Sequence, residues 1–430
     1  MRICVVGLGK IGLPLAVQYA DKGHQVSGAD INTDIVASVA AGTVPFPGET
    51  DLAEKLTAAH RDGKLTATTD VAAAVAVSEA VVVAVPLYVT AGEPDFSAID
   101  AATADIGAGL RSGTLVSYET TLPVGTTRNR IAPALGSVSG LDPGGDFHLV
   151  FSPERVFTGR VFADLRRYPK LVGGINDASA ERGVEFYSSV LDFDDRPELP
   201  RPNGVWKLGS AEAAEFAKLA ETTYRDVNIG LANQFARFAD RIGVDVAEII
   251  TACNTQPYSH IHTPGIAVGG HCIPVYPQLY LWNDPSADIV STARHANAVM
   301  PDYAVALLCE AFGDVAGANV LILGAAYRGG VKETAFSGVF DLVDRLMELR
   351  ATPLVSDPLY SPDELEALNL PAYRGEAADA MIIQADHPEY RDLTATDWPG
   401  VKVLVDGRRV TDPANWDGVR RVLIGDGRTG

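Results

Sequence analysis

The chain has 430 residues, 55 acidic against 35 basic, for a formal net charge of −20. That surplus of carboxylates excludes nucleic acid and an anionic membrane surface as main partners, because phosphate polymers are held by Lys and Arg. At 47% hydrophobic and 21% charged residues, the composition is that of a folded globular chain, and its length suggests about three domains.

The chain opens on a strand, MRICVVG, with no leader layout. Short β-branched runs follow at Gln25–Ala29, Ala80–Val85, Thr114–Tyr118, His148–Phe151 and Leu171–Gly174, after the first at Ile3–Val6. Each leads into a turn or helix signal, which predicts a doubly wound parallel sheet over residues 1–200. From Ala211 to Gly243 the chain runs without Pro, with Phe216, Leu219, Tyr224, Val227, Leu231, Phe235 and Phe238 near helical spacing. A helix of that length predicts a central segment, residues 201–300, that spans a gap between domains or builds a subunit interface. Strand candidates resume at Asn319–Leu323, Pro353–Ser356, Ala380–Gln384 and Lys402–Val405, giving a second α/β domain over residues 301–430. The expected fold class is α/β, with two Rossmann-like doubly wound domains joined by a long central helix. Cys4, Cys253, Cys272 and Cys309 are too scattered for a disulfide framework, and no apolar run reaches membrane-spanning length. A cytoplasmic protein with reduced thiols is expected.

Gly7-Leu8-Gly9-Lys10-Ile11-Gly12 is a G-x-G-x-x-G directly between the first strand and a helix. Gly7 permits the tight turn, Gly9 the approach of a pyrophosphate, and Gly12 close helix–sheet packing. Asp30 ends the second strand, where a carboxylate takes ribose hydroxyls and repels a 2′-phosphate, so NAD is favoured over NADP. A ligand-free turn and an FAD site are the alternatives.

Pro264-Gly265-Ile266-Ala267-Val268-Gly269-Gly270-His271-Cys272 puts a thiol directly after a glycine loop. Glycines let backbone approach a ligand, and a neighbouring His favours a thiolate. A buried, inert Cys is the competing reading. His260, His262, His271 and Cys272 lie close in sequence, but their spacing fits no metal-ligand pattern, and no metal is expected.

GLGKIGLPLA with Asp30, VVVAVP ending at Pro86, TTLPVGTT, SPERVFTGR, KLAETTYRDVNIGLANQFA, AVGGHCIP and QADHPEY occur in order along nearly the whole chain. Together they resemble the UDP-glucose/GDP-mannose dehydrogenase family, and the SPERV and GGHCIP wording resembles its UDP-N-acetylhexosamine branch. The resemblance implies two successive NAD-dependent oxidations at C6 of a nucleotide sugar, with NAD held by Gly7, Gly9, Lys10, Ile11, Gly12, Asp30, Pro86, Thr121 and Glu154. It implies Cys272 as the nucleophile that forms a thiohemiacetal and then a thioester, and Lys218 as the cation beside the oxyanion. Glu154 and Thr121 would line the nicotinamide and water site. Arg155, Lys218, Tyr258, Gly265, Gly269 and Gly270 would border the substrate.

The resemblance breaks at several of these positions. Thr222 stands where the family has an Asn, and Tyr276 where it has an Asp that serves as or orients the base. A Tyr, ionising near pH 10, does not replace a carboxylate base. Tyr258 and Ala335 stand at two arginine positions, Ile266-Ala267 replace a Pro-Gly, and Ser337 is kept. Glu154 becomes the leading replacement base. Three functional readings follow: the standard nucleotide-sugar 6-dehydrogenase, a family-derived oxidoreductase on an unusual nucleotide or nucleoside substrate, in one oxidation or two, and a silent NAD- or nucleotide-binding protein.

Overall fold

A computed structural model of the chain describes residues 1–427. They divide into two compact units, Met1–Glu221 and the remainder from Thr222. The first unit begins with β1 (Arg2–Val6), α1 (Gly12–Asp21), β2 (Gln25–Ala29), α2 (Thr33–Ala40), α3 (Leu52–Arg61) and β3 (Leu65–Thr68). Next come α4 (Val71–Ala76), β4 (Ala80–Val83), a small antiparallel hairpin of β5 (Tyr88–Thr90) and β6 (Glu93–Asp95), and α5 (Ser97–Gly109). Then follow β7 (Leu115–Tyr118), α6 (Ala132–Ser139), β8 (His148–Phe151), α7 (Val161–Arg167), β9 (Lys170–Gly174), α8 (Asp177–Val190) and β10 (Val205–Lys207). The long helix α9 (Ala211–Ile242) crosses the division between the units.

Eight strands form one sheet in the order β10-β9-β8-β7-β4-β1-β2-β3. All neighbours are parallel except β8 and β9. Strand order reverses between β1 and β4, so the loops leaving their carboxyl ends flank a ready-made crevice. Side chains alternate across the sheet, and both faces are covered. Ile3, Val5, Val82, Leu115 and Val150 belong to one core, while Cys4, Val6, Val81, Val116 and Leu149 belong to the other. Burial on both faces is why these strands read as continuous apolar runs. The same burial pushes the Cys4 thiol up to about 12 and leaves it inert.

In the second unit α10 (Val246–Cys253), α11 (Tyr276–Asn283), α12 (Asp288–Ala298) and α13 (Met300–Phe312) precede a five-stranded parallel sheet. Its elements are β11 (Asn319–Leu323), α14 (Val339–Glu348), β12 (Thr352–Ser356), α15 (Pro362–Ala367), β13 (Ala380–Ile383), β14 (Val403–Asp406) and β15 (Arg420–Leu423). Strand order is β12-β11-β13-β14-β15. Val320, Ile322, Ile382 and Val405 face one core, and Leu321, Leu323, Met381 and Leu404 the other. No helix among the described residues is long and apolar enough to cross a membrane.

Candidate active site

In the first unit the glycine turn leaves β1 with Gly7 at φ +92°, a conformation L side chains rarely adopt. A Cβ on Gly7 would press on the Ala84 carbonyl that follows β4, and one on Gly12 would be driven into the Gly7 carbonyl. Gly9 differs: a Cβ there would meet no atom within 4 Å, so its backbone faces open space. No side chain caps the start of α1, which leaves that helix end to an anion. Lys10 is exposed, and Ile11 packs against the core beneath. Asp30 accepts the Leu8 N–H through Oδ2 at 2.7 Å and the Asn32 N–H through Oδ1 at 2.8 Å. The turn thus fits a dinucleotide: it is rigid where it packs and bare where a pyrophosphate would sit.

Across the switch point Pro86 is exposed and Thr121 is buried. The Thr120 hydroxyl donates to the Val85 carbonyl at 2.5 Å, tying the β7 exit to the β4 exit. Glu215, buried on α9, shapes the loop that follows, accepting from Gly125 N–H at 2.6 Å and from Thr127 N–H at 2.8 Å.

The SPER segment leaves β8 beside β9. Glu154 Oε2 pairs with Lys170 Nζ at 2.8 Å, and its Oε1 accepts the Arg155 N–H at 2.6 Å. Lys170 bridges onward to Glu119 Oε2, also at 2.8 Å. The Glu119 Oε1 accepts the Tyr187 hydroxyl at 2.6 Å and the Tyr19 hydroxyl at 3.4 Å. Burial alone would favour protonated Glu154, but the Lys170 ammonium outweighs it and holds that carboxyl below its usual range. Glu119 lies deeper, and burial pushes it up to about 7 against the pull of Lys170. Lys218 Nζ donates to the Glu154 carbonyl oxygen at 2.7 Å, so this lysine is a buried neighbour of the SPER segment and not a snorkelling surface residue. Arg155 is a clamp: its guanidinium meets Glu221 through two bonds of 3.0 Å and the Pro169 carbonyl at 3.3 Å. Sequence reading left Glu119 and Lys170 out altogether. Thr222 is buried one turn of α9 beyond Lys218.

In the second unit the Cys272 loop lies on the carboxyl ends of the parallel strands. Gly265 N–H donates to Asn233 Oδ1 at 2.9 Å, and Ile266 is fully buried in the core. Ile266 occupies the space a Cβ on Gly407 would need, and Ala267 does the same at Gly338. Gly269 and Gly270 pack against the Tyr327 ring, and Gly270 N–H donates to the Ala335 carbonyl at 2.8 Å. Cys272 then emerges half-exposed, its carbonyl accepting the Tyr276 N–H at 2.9 Å as α11 begins. His271 is exposed, 3.4 Å from Glu333. Tyr276 is half-buried, and Tyr258 is 89% exposed. Ser337 accepts Gln384 Nε2 at 3.0 Å inside the sheet end. Arg408 lies under Gly265, donating to the carbonyls of Gln384 at 2.6 Å and Tyr327 at 3.3 Å. Among the described residues no group of three or more His, Cys, Asp or Glu is placed to hold a metal.

A buried polar chain stands behind that loop. Asn233 Nδ2 donates to Asn297 Oδ1 at 2.9 Å, and Asn297 Nδ2 donates to Asp226 Oδ1 at 2.8 Å. Arg294 closes the chain on the same Asp226 oxygen at 2.6 Å.

Three family models match in order. They describe the NAD binding domain over residues 1–191, the central domain over 212–299 and the UDP binding domain over 321–413 of UDP-glucose/GDP-mannose dehydrogenases. The chain belongs to the UDP-glucose/GDP-mannose dehydrogenase family. Among its relatives, a UDP-N-acetyl-D-mannosamine dehydrogenase of Pyrococcus horikoshii is 34% identical, over 95% of this chain and 96% of the relative. An NDP-N-acetyl-D-galactosaminuronic acid dehydrogenase of Ralstonia nicotianae is 31% identical, over 94% and 95%. The solved structure of the Pyrococcus horikoshii enzyme matches with a TM-score of 0.88 at 32% identity, covering 99% of this chain and all of that one. A UDP-glucose dehydrogenase from Pyrobaculum islandicum matches with a TM-score of 0.86 at 26% identity, over 99% and 97%. This dehydrogenase is therefore an NAD-dependent oxidoreductase acting on CH–OH groups of nucleotide sugars, with the two Rossmann-like domains and long helix that the sequence predicts.

Proposed function

We propose that this dehydrogenase oxidises the C6 alcohol of a UDP-N-acetylhexosamine, of the UDP-N-acetyl-D-mannosamine type, to the uronic acid through Cys272. The observation that carries the reading is the seating of the Cys272 loop. A thiol held half-exposed by a loop pinned at Gly265, Ile266, Ala267 and Gly270 is positioned for attack, unlike a buried inert Cys.

Bound NAD supplies the hydride acceptor, once for each oxidation. The glycine turn and Asp30 would hold its pyrophosphate and ribose. Cys272 Sγ adds to the aldehyde carbon of the first product, giving a thiohemiacetal whose C–H can be oxidised in turn. The resulting thioester is cleaved by water, which frees the carboxylate and returns the thiol. Lys218 places an ammonium for the oxyanions, and Thr222 contributes one hydroxyl where relatives carry an amide. With Tyr258 and Ala335 at arginine positions, Arg408 is a cation beside the loop that could grip a diphosphate, since its hydrogen bonds to Gln384 and Tyr327 go to carbonyls.

A second reading, one oxidation ending at the aldehyde, rests on the phenol of Tyr276 where a carboxylate is expected. Incubation of the purified protein with UDP-N-acetylmannosamine and related UDP-sugars separates the two. Two NADH per acid formed, and loss of turnover with retained NAD binding in Cys272→Ala, support the full reaction. One NADH with a trappable aldehyde supports the shorter one. Failure to reduce NAD with any UDP-sugar, despite tight nucleotide binding, favours a silent binding protein. We place the reaction in a reducing compartment, in keeping with four free cysteines, and in a homodimer built on α9.

A further inference from the structure

Each oxidation of an alcohol releases one proton for each hydride, and the chain offers the Tyr276 phenol where its family carries an Asp. The acceptor must be sought elsewhere. Glu154, Lys170 and Glu119 stand in a row, with 2.8 Å from Glu154 to Lys170 and 2.8 Å from Lys170 to Glu119. Side-chain exposure falls inward, from 10% at Glu154 to 4% at Lys170 and 1% at Glu119. Two carboxylates therefore share one ammonium, and one additional proton brings the row to charge neutrality. Such an arrangement is costly to bury unless it has a use or perfect pairing.

We propose that Glu154, Lys170 and Glu119 form a proton relay that takes the proton of the substrate hydroxyl and stores it on Glu119. The inference rests on the dehydrogenase reading above. The substrate O–H bond breaks as Glu154 takes its proton, and the C–H electron pair departs as hydride to the nicotinamide. Lys170 passes one ammonium proton to Glu119 and recovers the one held by Glu154. The row ends with Glu154 ionised, Lys170 an ammonium and Glu119 a neutral acid; the proton later leaves by the same route through Glu154.

The surroundings favour that direction. Glu119 faces Lys170 from β9, Tyr187 from α8 and Tyr19 from α1. Glu154 faces Lys170, the Arg155 N–H and Lys218 from α9. Burial pushes Glu119 up to about 7, whereas Lys170 holds Glu154 below its usual range, so the inner carboxylate is the better proton store. Burial also drives both phenols well above their ordinary range, leaving Tyr19 and Tyr187 as neutral donors that do not compete.

Glu119→Gln keeps the shape and removes the store. Its kcat should fall on the order of 10²-fold, the usual scale of general-base catalysis, with NAD affinity and sugar KM little changed. The acid limb of the kcat profile near neutrality should disappear with it. Lys170→Arg keeps the charge but cannot release a proton to Glu119, so it should fold, bind NAD and lose kcat to a similar degree. Wild-type kcat in Lys170→Arg, or an unmoved acid limb in Glu119→Gln, overturns the relay in favour of a structural ion pair. Difference infrared spectroscopy of the full chain gives a readout independent of turnover. In a Glu215→Gln background, which removes the other carboxyl that burial pushes up to about 7, a carboxylic-acid C=O band that titrates near neutrality should be present and should vanish when Glu119→Gln is added; its persistence in the double variant overturns the assignment. These spectra decide the matter even if Lys170→Arg does not fold. Absence of NAD reduction by the wild type with every UDP-sugar would instead sink the dehydrogenase reading.

Discussion

Asp30 Oδ2 accepts the backbone N–H of Leu8 at 2.7 Å, so the carboxylate that ends β2 also holds the glycine turn that ends β1. One side chain thus sets both the shape of the cofactor turn and the charge beside the ribose. Asp30→Ala should weaken NAD binding about ten- to a hundredfold, the scale of a lost hydrogen bond to a charged group. It should not create an NADP enzyme, because the turn itself loosens. Asp30→Asn keeps an acceptor for Leu8 but loses the charge, and should narrow the preference for NAD over NADP while sparing stability. Fluorescence titration of both variants with both dinucleotides checks this. Equal NAD affinity in Asp30→Ala and wild type would contradict it.

The second sheet uses the same device. Asp357, at the end of β12, accepts the N–H groups of Ala325 at 2.8 Å and Ala326 at 2.9 Å after β11, and pairs with His387 at 3.1 Å. The Asp30 position was legible because a strand followed by an acid is a local pattern. Strands fared well for a similar reason: β2, β8 and β11 begin and end where Gln25–Ala29, His148–Phe151 and Asn319–Leu323 read as apolar runs. Short strands with mixed polarity, such as β3 at Leu65–Thr68 and β10 at Val205–Lys207, carry too little periodicity to stand out. Glu119 and Lys170 were missed because an isolated charge beside an apolar run reads as its solvated end. The signal that could have found them is that both abut strands buried on two faces, where a charge persists only if paired. Asp226, Asn233 and Asn297 look like a polar helix surface for the same reason, although all three are buried.

Glu215 makes a prediction in pH. Its carboxylate takes the Gly125 and Thr127 amides and the Thr127 hydroxyl at 2.6 Å, and burial pushes it up to about 7 from 4.5. In that window the folded chain holds a proton the unfolded chain has released, so stability falls as pH rises and the loss is complete above about 7. The penalty is on the order of 3 kcal/mol, and Glu119 adds to it with the same sign. Melting temperature should therefore drop between about pH 4.5 and about pH 7 and level off above that. Glu215→Gln should flatten that slope while lowering stability throughout, because its amide would face the Gly125 N–H. An unchanged slope in the variant would refute the assignment.

Asn233 ties helix α9 to the Cys272 loop through Gly265 N–H at 2.9 Å. Asn233→Ala strands that amide and leaves Asn297 Oδ1 without its donor, at about 1–3 kcal/mol for each buried group. The loop should loosen at its first post. Mass-mapped alkylation should then show a several-fold change in Cys272 reactivity, with Cys253 unaffected and NAD affinity retained. Unaltered Cys272 labelling, measured on a variant shown to be folded, would mean the remaining contacts with Tyr327, Gly338 and Gly407 suffice to fix the loop.

Helix α9 is inverted relative to an ordinary surface helix. Its buried side carries Glu215, Lys218, Thr222, Thr223, Asp226, Asn233 and Asp240, whereas Phe216, Tyr224, Leu231, Phe238 and Ile242 are exposed. Those five lie seven or eight residues apart, or four at the end, and so line one stripe of the helix. A stripe of large apolar side chains left about half exposed is the pattern expected of an interface. The stripe is one-dimensional and borne on a single rigid helix, which suits pairing with an identical copy about a two-fold axis. Leu231→Glu together with Phe238→Glu should convert a dimer to a monomer of 45.5 kDa in size-exclusion chromatography with light scattering. Because both side chains are already about half exposed, the double variant should keep the monomer fold, seen as unchanged far-ultraviolet circular dichroism. A wild-type chain that runs as a clean monomer at micromolar concentration would remove the stripe from consideration as a homodimer surface.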